Sequence, residues 1–436
     1  MDSLNLPAAG PPREPADNES QGVPPDGKLR ELTLEKPWAT RAVVCGLILA
    51  VGLVVGFALV YRPFDYGVYR WGGQAVTHAG RLYQGRGDTN LFTYPPFAAV
   101  VLIAVAVIPD LAGRVALELV SLLALASAVR VTLKLAGYRA SWQVVGAGVV
   151  IAMTLEPMYH TFFLGQVNLI LMALILVDIW RTAQGRPAGL LIGIAAAIKL
   201  TPLIFIALLL LAGRTKAGLT AAVTFVACGL IGYVFAPGDS RTYWQHRLFT
   251  NTGRFGAQYI SNQSPYGTAL RLAGGAHVGH WFVVIPVLLG LVGLGIAVLL
   301  ARTGDWLGAT ATTGTTGLLV SPISWTHHWV WILPALVILL QGGRRSRIAA
   351  AGGYVLFVAA PMWFTPRSGG PAEFGFHWLV TLVANCYLLA GLAFLGYMGW
   401  RAAGIARGAG PRAPRARVSV PVPEPAASPA GDSRAR

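Results

Sequence analysis

Long apolar runs alternate with short polar loops along most of the chain, and this pattern predicts a bundle of membrane-spanning helices. A helix that crosses the hydrocarbon layer needs roughly 20 mostly apolar residues. Predicted apolar helices cover residues 41–60, 96–109, 111–134, 142–158, 166–181, 188–199, 202–212, 217–236, 281–301, 306–320, 327–341, 347–363 and 376–399. We therefore expect an all-α, polytopic integral membrane protein with about 12 transmembrane helices.

Two of these regions contain a proline that interrupts the helical pattern. Pro202 in "IKLTPL" lacks a backbone donor, so residues 188–212 are predicted as two short helices that meet at Lys199–Pro202. A single kinked helix there would reverse the orientation of half of the chain. Pro109 leaves two alternatives for residues 96–134, namely one span plus a re-entrant segment or three short spans.

Composition excludes a soluble protein. Charged residues make up 12% of the chain and hydrophobic residues 55%, whereas soluble proteins have about 25% charged residues. The formal net charge is +16, but many arginines lie in short loops and in the C-terminal tail. This is the positive-inside pattern of membrane proteins, with attraction to anionic lipid, and it does not predict nucleic-acid binding.

The charge of the loops predicts how the helices are oriented across the membrane. If the basic loops 130–139, 181–186, 214–216, 302 and 344–347 are cytoplasmic, the outer set comprises residues 61–95, 156–166, 199–202, 237–280, 320–327 and 364–376. Residues 1–38 and 401–436 are predicted to be disordered cytoplasmic tails. Between them, residues 39–400 form the transmembrane domain.

Asp65 is the first acidic residue after the first apolar run, in "YRPFDYGVYRWGGQAV". Acids at the membrane edge are rare, costly and usually functional. The structural alternative is that Asp65 is the N-cap of a helix that starts at Tyr66. Position alone does not decide between these two roles.

Lys199 is the charged residue inside an apolar run that most favours a function. The structural alternative is a lysine whose amine extends to the membrane interface. However, Lys199 adjoins the break at Pro202, and a helix broken at membrane depth normally lines a cavity. A cation in such a cavity could hold a phosphate.

Amides and aromatic residues recur in the predicted outer loops. Buried amides can join helices by hydrogen bonds, and they can equally bind sugar hydroxyls. Aromatic residues there suit a membrane-interface belt or a sugar site. The candidates for binding a sugar or an acceptor are Tyr94, Gln166, Asn168, Asn262, Gln263, Ser264 and Trp325.

The segment "SPISWTHHWVWILP" places His327 and His328 side by side at a helix start. The other histidines are scattered and no HExxH or CxxC motif occurs, so we predict an anion-binding or hydrogen-bonding pair and no metal. No P-loop or Rossmann fingerprint is present. A reaction driven by a nucleotide is therefore not expected, no cofactor is predicted, and a substrate attached to a lipid is the natural alternative.

Several motifs together resemble glycosyltransferase family 87, a family of polytopic GT-C fold mannosyltransferases. These motifs are "DYGVYRWGGQAV", "LFTYPP", "LGQVNLILM", "IKLTP", "NQSPYG" and "PISWTHHWVW", in the expected order over roughly residues 40–400. The resemblance implies an actinobacterial plasma-membrane enzyme whose active site faces the periplasm. It would use polyprenyl-phosphate-mannose to add an α-1,2-linked mannose to phosphatidylinositol mannoside, lipomannan or lipoarabinomannan.

The resemblance also implies site roles. Asp65 matches the acid of the first outer loop, the general base of an inverting displacement, and His327 and His328 match the family's histidines near the site. Charge makes Lys199, Arg62, Arg70 and Arg81 candidates for binding the donor phosphate. No adjacent acidic pair occurs in the first loop, which argues against dependence on a metal.

Two other functions stay open at this point. A polyprenyl-phosphate-arabinose transferase of the same fold would differ in pocket shape, which the sequence does not reveal. The second is a flippase or transporter of lipid-linked sugars. Inverted repeats and several broken helices in the sequence would favour that function. The chain shows one such break and no repeat.

Overall fold

The computed structural model describes residues 29–78, 81–83, 92–248, 256–276 and 278–407. The predicted tails therefore lie mostly outside the described residues. Strand β1 (Arg30–Leu32) pairs in parallel with β2 (Tyr138–Ala140), so the chain just before the first helix is attached to the arginine-containing loop 130–139. Everything else that is regular in the described part is helical, as predicted.

The helices follow the apolar runs closely. They are α1 Pro37–Val60, α2 Phe64–Thr77, α3 Pro96–Val107, α4 Asp110–Leu135, α5 Trp142–Met153, α6 Glu156–Leu164, α7 Asn168–Ala183, α8 Leu190–Ile198, α9 Leu203–Leu211, α10 Thr215–Phe235, α11 Pro237–Thr242, α12 Pro265–Leu272, α13 Val284–Arg302, α14 Trp306–Val320, α15 Ile332–Gln341, α16 Arg344–Ala359, α17 Trp378–Ala384 and α18 Cys386–Ala406. A 3-10 turn, Thr326–Trp331, leads into α15.

The number of long helices differs from the prediction. Within the described ranges, five helices are long and apolar enough to cross a membrane, or six if the bent pair α5–α6 is one span. The predicted count of about 12 is therefore not confirmed. The reason is that breaks shorten many apolar runs: α5 and α6 are bent by 79°, and the run 376–399 breaks at Asn385.

The break at Pro202 is confirmed and defines a half-depth hairpin. Helices α8 and α9 have nine residues each, or about 14 Å at 1.5 Å per residue, against a hydrocarbon thickness of about 30 Å. Asp178 near the end of α7 accepts hydrogen bonds from the amides of Gly189 and Ile192. Arg302 donates to the carbonyl of Leu211 at the end of α9. Helix α8 thus begins, and α9 ends, at the face that carries the arginine-rich loops, and the turn between them lies about half-way across the bundle.

Helix α3 lies in residues 96–134, for which the sequence analysis gave two alternatives. Arg70 of α2 donates to the carbonyls of Val105 and Ile108 at its C-terminal end, next to the start of α4. At its N-terminal end, Gly232 near the end of α10 packs against the backbone of Phe97. Both ends of α3 thus lie on the face opposite the arginine-rich loops, and α4 runs unbroken from Asp110 to Leu135. Residues 96–134 therefore contain one span and one short helix that does not cross, so three short spans is wrong.

Candidate functional site

Asp65 lies in the first turn of α2, and its carboxylate turns towards the bundle. Pro63 is the N-cap of this helix and Phe64 its first residue, so Asp65 is not the predicted N-cap. Its side chain is hydrogen-bonded to Gln166. Gly165, which ends α6 with φ of 68°, packs against Pro63 and Tyr66 so closely that a Cβ would lie 2.9 Å from Pro63.

Gln166 is held in one orientation by two tyrosines. Its Oε1 accepts hydrogen bonds from the hydroxyls of Tyr69 at 2.8 Å and Tyr94 at 3.3 Å, and all three side chains are buried. Because both donors occupy the carbonyl oxygen, the amide NH2 is left to face the Asp65 carboxylate. Gln166 therefore joins α2 to the chain before α7 and holds Asp65 in place, while its role in sugar binding stays a prediction.

The surroundings of Asp65 change its acidity. Desolvation raises the pKa of Asp65 to about 6, while the hydrogen bond from Gln166 and the charges of Lys199 and His160 act in the opposite direction. A carboxylate with a pKa near 6 is ionised at neutral pH and is also basic enough to accept a proton in a transition state. The site therefore contains a group with the properties of a general base.

Lys199 ends α8 at the predicted break and joins three elements. Its Nζ donates to Asn168 Oδ1 at 2.9 Å and lies 3.2 Å from His328 Nε2. The same Nζ lies 5.8 Å from the ring centroid of Tyr94, and Asn168 Nδ2 donates to the carbonyl of His327 at 3.0 Å. These contacts assemble the α7 start, the broken helix and the 3-10 turn around one cation.

A buried carboxylate–histidine pair borders the same cluster, and sequence reasoning missed it. Glu156 and His160 are one turn apart on α6, with Oε1 and Nδ1 2.8 Å apart. Glu156 is fully buried and also accepts from Trp363 Nε1 and Tyr387 OH. The signal was an acid four residues before a histidine at a predicted outer turn, which fits one helix face.

His327 lies between the two other imidazoles. Its ring centroid is 5.4 Å from that of His160 and 4.6 Å from that of His328. The side chain is buried, yet neither ring nitrogen has a hydrogen-bond partner among the described residues. Buried polar atoms are almost always partnered, so this imidazole has two unused positions for a ligand hydroxyl or water.

A pocket opens beside Lys199 and His328 and continues between α7, α9 and α14. Polar groups line one end, and the rest is apolar, formed by Leu171, Met172, Ile175, Ile204, Phe205, Leu318, Val330 and Trp331. The pocket is small, about 50 Å³, and places a cation and polar groups next to apolar walls. Among the described residues no group of three or more His, Cys, Asp or Glu side chains is arranged to hold a metal ion.

The three arginines predicted to bind the donor phosphate have other partners. Arg62 and Arg70 both contact Asp110 at the start of α4. Arg81 lines a separate pocket with Tyr83, Phe235 and Asp239. These arginines thus lie beside Asp110 or Asp239, and they are not part of the group of side chains around Lys199.

The segment Asn262–Ser264 lies in the interior with its polar atoms in use. Asn262 Nδ2 donates to the carbonyls of Ala257 and Pro322, and its Oδ1 accepts from two backbone amides. Gln263 bonds to the backbone of α17 and α18, and Ser264 caps α12. Trp325, by contrast, is partly exposed and lies edge-on to Tyr259, with ring centroids 6.5 Å apart.

Comparison with known proteins identifies the family of the chain. Residues 92–322 match the sequence profile of Glycosyltransferase family 87. A Mycobacterium tuberculosis protein named polyprenol-phosphate-mannose-dependent alpha-(1-2)-phosphatidylinositol mannoside mannosyltransferase is 33% identical over 361 residues, covering 75% of this chain and 84% of the relative.

A second M. tuberculosis relative is named polyprenol-phosphate-mannose-dependent alpha-(1-2)-phosphatidylinositol pentamannoside mannosyltransferase. It is 33% identical over 392 residues, which cover 85% of this chain and 89% of the relative. A Mycolicibacterium smegmatis protein with the same name as the first relative is 32% identical over 361 residues, covering 74% of this chain and 81% of its own length. No solved structure gives a significant match. With a profile that matches more than half of its length and relatives 33% identical that cover 75% and 85% of it, the chain belongs to glycosyltransferase family 87.

Proposed function

We propose that this protein is an inverting GT-C type mannosyltransferase that moves mannose from polyprenyl-phosphate-mannose to a phosphatidylinositol mannoside acceptor as an α-1,2 linkage. The observation that carries the proposal is the meeting of Asp65, through Gln166 and Tyr94, with the Lys199–His328 pair. A base and a phosphate-binding cation then lie on either side of one reacting centre. The names of the relatives supply the donor and the acceptor class.

The transfer is a single in-line displacement. The acceptor hydroxyl attacks C1 of the mannose, a new C1–O bond forms, and the bond between C1 and the phosphate oxygen breaks. The acceptor proton passes to the Asp65 carboxylate, and the bonding electron pair leaves with the polyprenyl phosphate. A positioned general base supplies roughly 10²–10⁴-fold of the rate. One displacement turns a β-linked donor into an α-linked product.

Lys199 is placed to stabilise the leaving phosphate, and His328 Nε2, which accepts from the ammonium, helps to orient it. Charge develops on this phosphate as C1–O breaks, and fixed donors in a water-poor site stabilise it more than water would. Apolar side chains line the pocket beside them and would contact the first part of the polyprenyl chain. Of the cations predicted to bind the donor phosphate, Lys199 is thus the one that the proposal retains.

Sugar recognition falls to the groups that still have unused polar atoms or an open face. His327 has two unpartnered ring nitrogens, and Trp325 presents a partly exposed ring on the same turn. His160, fixed by Glu156, borders both His327 and Asp65. The saturated amides of Asn262 and Gln263 have no place in this proposal.

Asp65 lies just after the end of α1 and near the start of α4. The other end of α4 leads into an arginine-rich loop, so Asp65 is on the face opposite these loops. Arginine-rich loops favour the cytoplasm. We therefore place the active site at the extracytoplasmic side of the plasma membrane, where a lipid-linked sugar replaces a nucleotide sugar as donor. Lipomannan and lipoarabinomannan are acceptors of the same mannoside class.

Transfer from a labelled donor tests the proposal. Purified full-length protein is incubated with radiolabelled polyprenyl-phosphate-mannose and a phosphatidylinositol mannoside, and the product is digested with a linkage-specific α-mannosidase. We expect label in the glycolipid, released by the α-1,2-specific enzyme. Transfer only from polyprenyl-phosphate-arabinose would favour the arabinosyltransferase alternative. Movement of the donor from one leaflet of a vesicle membrane to the other, without transfer, would favour a flippase.

A further inference from the structure

Three arginines surround one carboxylate where α1 ends and α4 begins. Asp110 Oδ1 lies 3.5 Å from Arg62 Nη2 and 3.6 Å from Arg70 Nε, and its Oδ2 lies 3.3 Å from Arg114 Nε. Three positive charges therefore share a single negative charge. The catalytic proposal uses none of these four groups.

The three arginines differ in how far the fold already uses them. Arg70 donates to the carbonyls of Val105 and Ile108, and Arg114 donates to those of Ala58 and Tyr61. Both are mostly buried, whereas the side chain of Arg62 is 68% exposed. Arg62 thus presents a guanidinium to the outside from a cluster whose positive charge is not balanced by its one acid.

Apolar side chains that face outward flank this guanidinium on each neighbouring element. Val60 at the end of α1 is 91% exposed, and Phe64, Val107 and Leu111 are also exposed. In a helix bundle with lipid around it, such side chains contact acyl chains. An arginine beside side chains that contact lipid can extend its guanidinium to the phosphate groups of the lipid headgroups.

We propose that Arg62, supported by Arg70 and Arg114, binds the phosphodiester of an anionic glycerophospholipid. The planar guanidinium matches phosphate oxygens with two parallel hydrogen bonds, and the apolar flank accommodates the acyl chains of the same molecule. Both features are needed for such a ligand, whereas a soluble anion would have no use for the flank.

The site is close to the proposed base. Asp65 follows Arg62 by three positions, which limits the distance between their Cα atoms to about 11 Å. Two sources of the phosphodiester are consistent with this distance, namely the acceptor's own phosphatidylinositol anchor and a membrane lipid that surrounds the protein. The acceptor source rests on the proposed function, while lipid binding at Arg62 does not.

Lipid retention tests the binding itself. Full-length wild-type protein, Arg62→Gln and Arg62→Lys are reconstituted in nanodiscs of phosphatidylcholine with phosphatidylinositol, extracted in mild detergent, and analysed by native mass spectrometry. Arg241→Gln is the matched control, because Arg241 is another exposed arginine on this face, bonded to Tyr233. We expect Arg62→Gln to retain at least about fivefold less phosphatidylinositol, a change of about 1 kcal/mol, while Arg62→Lys retains more than Arg62→Gln and Arg241→Gln resembles wild type.

A second measurement separates the two sources. The ratio of kcat/KM for a phosphatidylinositol mannoside to kcat/KM for a phosphate-free alkyl mannoside is compared between wild type and Arg62→Gln. A fall of about tenfold or more in this ratio assigns the site to the acceptor's anchor, and reduced lipid retention at an unchanged ratio assigns it to a membrane lipid. Retention of phosphatidylinositol by Arg62→Gln at the wild-type level would overturn the proposal, and because retention needs no catalysis this failure is distinct from a failure of the proposed transfer.

Discussion

Two polar clusters of this protein look alike in sequence and differ in how their polar atoms are used. The Asp65–Lys199 cluster (Asp65, Gln166, Lys199, His327 and His328) and the segment Asn262–Ser264 both lie at predicted outer loops and both turn inward. In the first, Lys199 and His328 line a pocket, and both ring nitrogens of His327 lack a partner among the described residues. In the second, amide and hydroxyl atoms bond to backbone groups.

This difference separates binding chemistry from structural chemistry. Polar groups whose hydrogen bonds are complete stabilise the fold and have nothing left for a ligand. Buried polar groups that lack hydrogen-bond partners lower the stability of the fold, and they are usually found where function needs them. Mutations in the Asp65–Lys199 cluster should therefore abolish transfer without unfolding the protein. Mutations in the segment Asn262–Ser264 should destabilise the fold and leave the activity of the folded molecules largely intact.

The largest effect is expected for Asp65→Asn. This change removes the proton acceptor while keeping the size of the side chain, so kcat should fall by roughly 10²–10⁴-fold with an unchanged thermal unfolding midpoint in detergent. Asp239→Asn is the matched control, since Asp239 lies on the same face and accepts a hydrogen bond from the Leu82 amide. Its transfer rate should stay within a few-fold of wild type, and an Asp65→Asn variant with most of its activity would remove Asp65 as the base.

Lys199→Met should come next. Loss of one group that stabilises developing charge costs roughly 10²–10³-fold in kcat, and inhibition by free polyprenyl phosphate should weaken in parallel. Lys216→Met, at the start of α10 on the arginine-rich face, is the control and should change neither value. Wild-type inhibition by polyprenyl phosphate in Lys199→Met would contradict phosphate binding by this amine.

Glu156→Gln should have an intermediate effect. The carboxylate fixes His160 through the 2.8 Å contact, and a hydrogen bond to a charged group contributes roughly 1.5–3 kcal/mol, or about 10–100-fold in rate if it acts in the transition state. The double variant with His160→Gln should be no slower than His160→Gln alone. Multiplicative losses would mean that Glu156 acts independently of His160.

Asn262→Ala should have the smallest effect on catalysis. It deletes the partners of two carbonyls and two amides in the interior, so the free energy of unfolding should fall by about 1–3 kcal/mol. Activity per folded molecule should stay within a few-fold of wild type. An unchanged unfolding midpoint together with a large rise in the acceptor KM would instead make Asn262 a sugar ligand.

Local sequence signals predicted the fold where the cause is local. Pro202 breaks the helix because it lacks a donor, and the break at Lys199–Pro202 was expected. Asp65 and Lys199 were singled out because charge is costly near the hydrocarbon. Partners distant in the chain could not be predicted, since no local pattern shows that Arg62 meets Asp110, 48 residues away, or that Tyr387 bonds to Glu156.

The most direct test of the account is the pH dependence of kcat/KM for transfer. Desolvation raises the pKa of Asp65 to about 6, and only the deprotonated carboxylate can accept the acceptor proton. We predict that kcat/KM of the wild type is constant above about pH 7 and falls about tenfold per pH unit well below pH 6, and that this acid limb is missing from the residual activity of Asp65→Asn. A wild-type profile that stays flat down to pH 5, or the same acid limb in Asp65→Asn, would contradict the assignment of Asp65 as the general base.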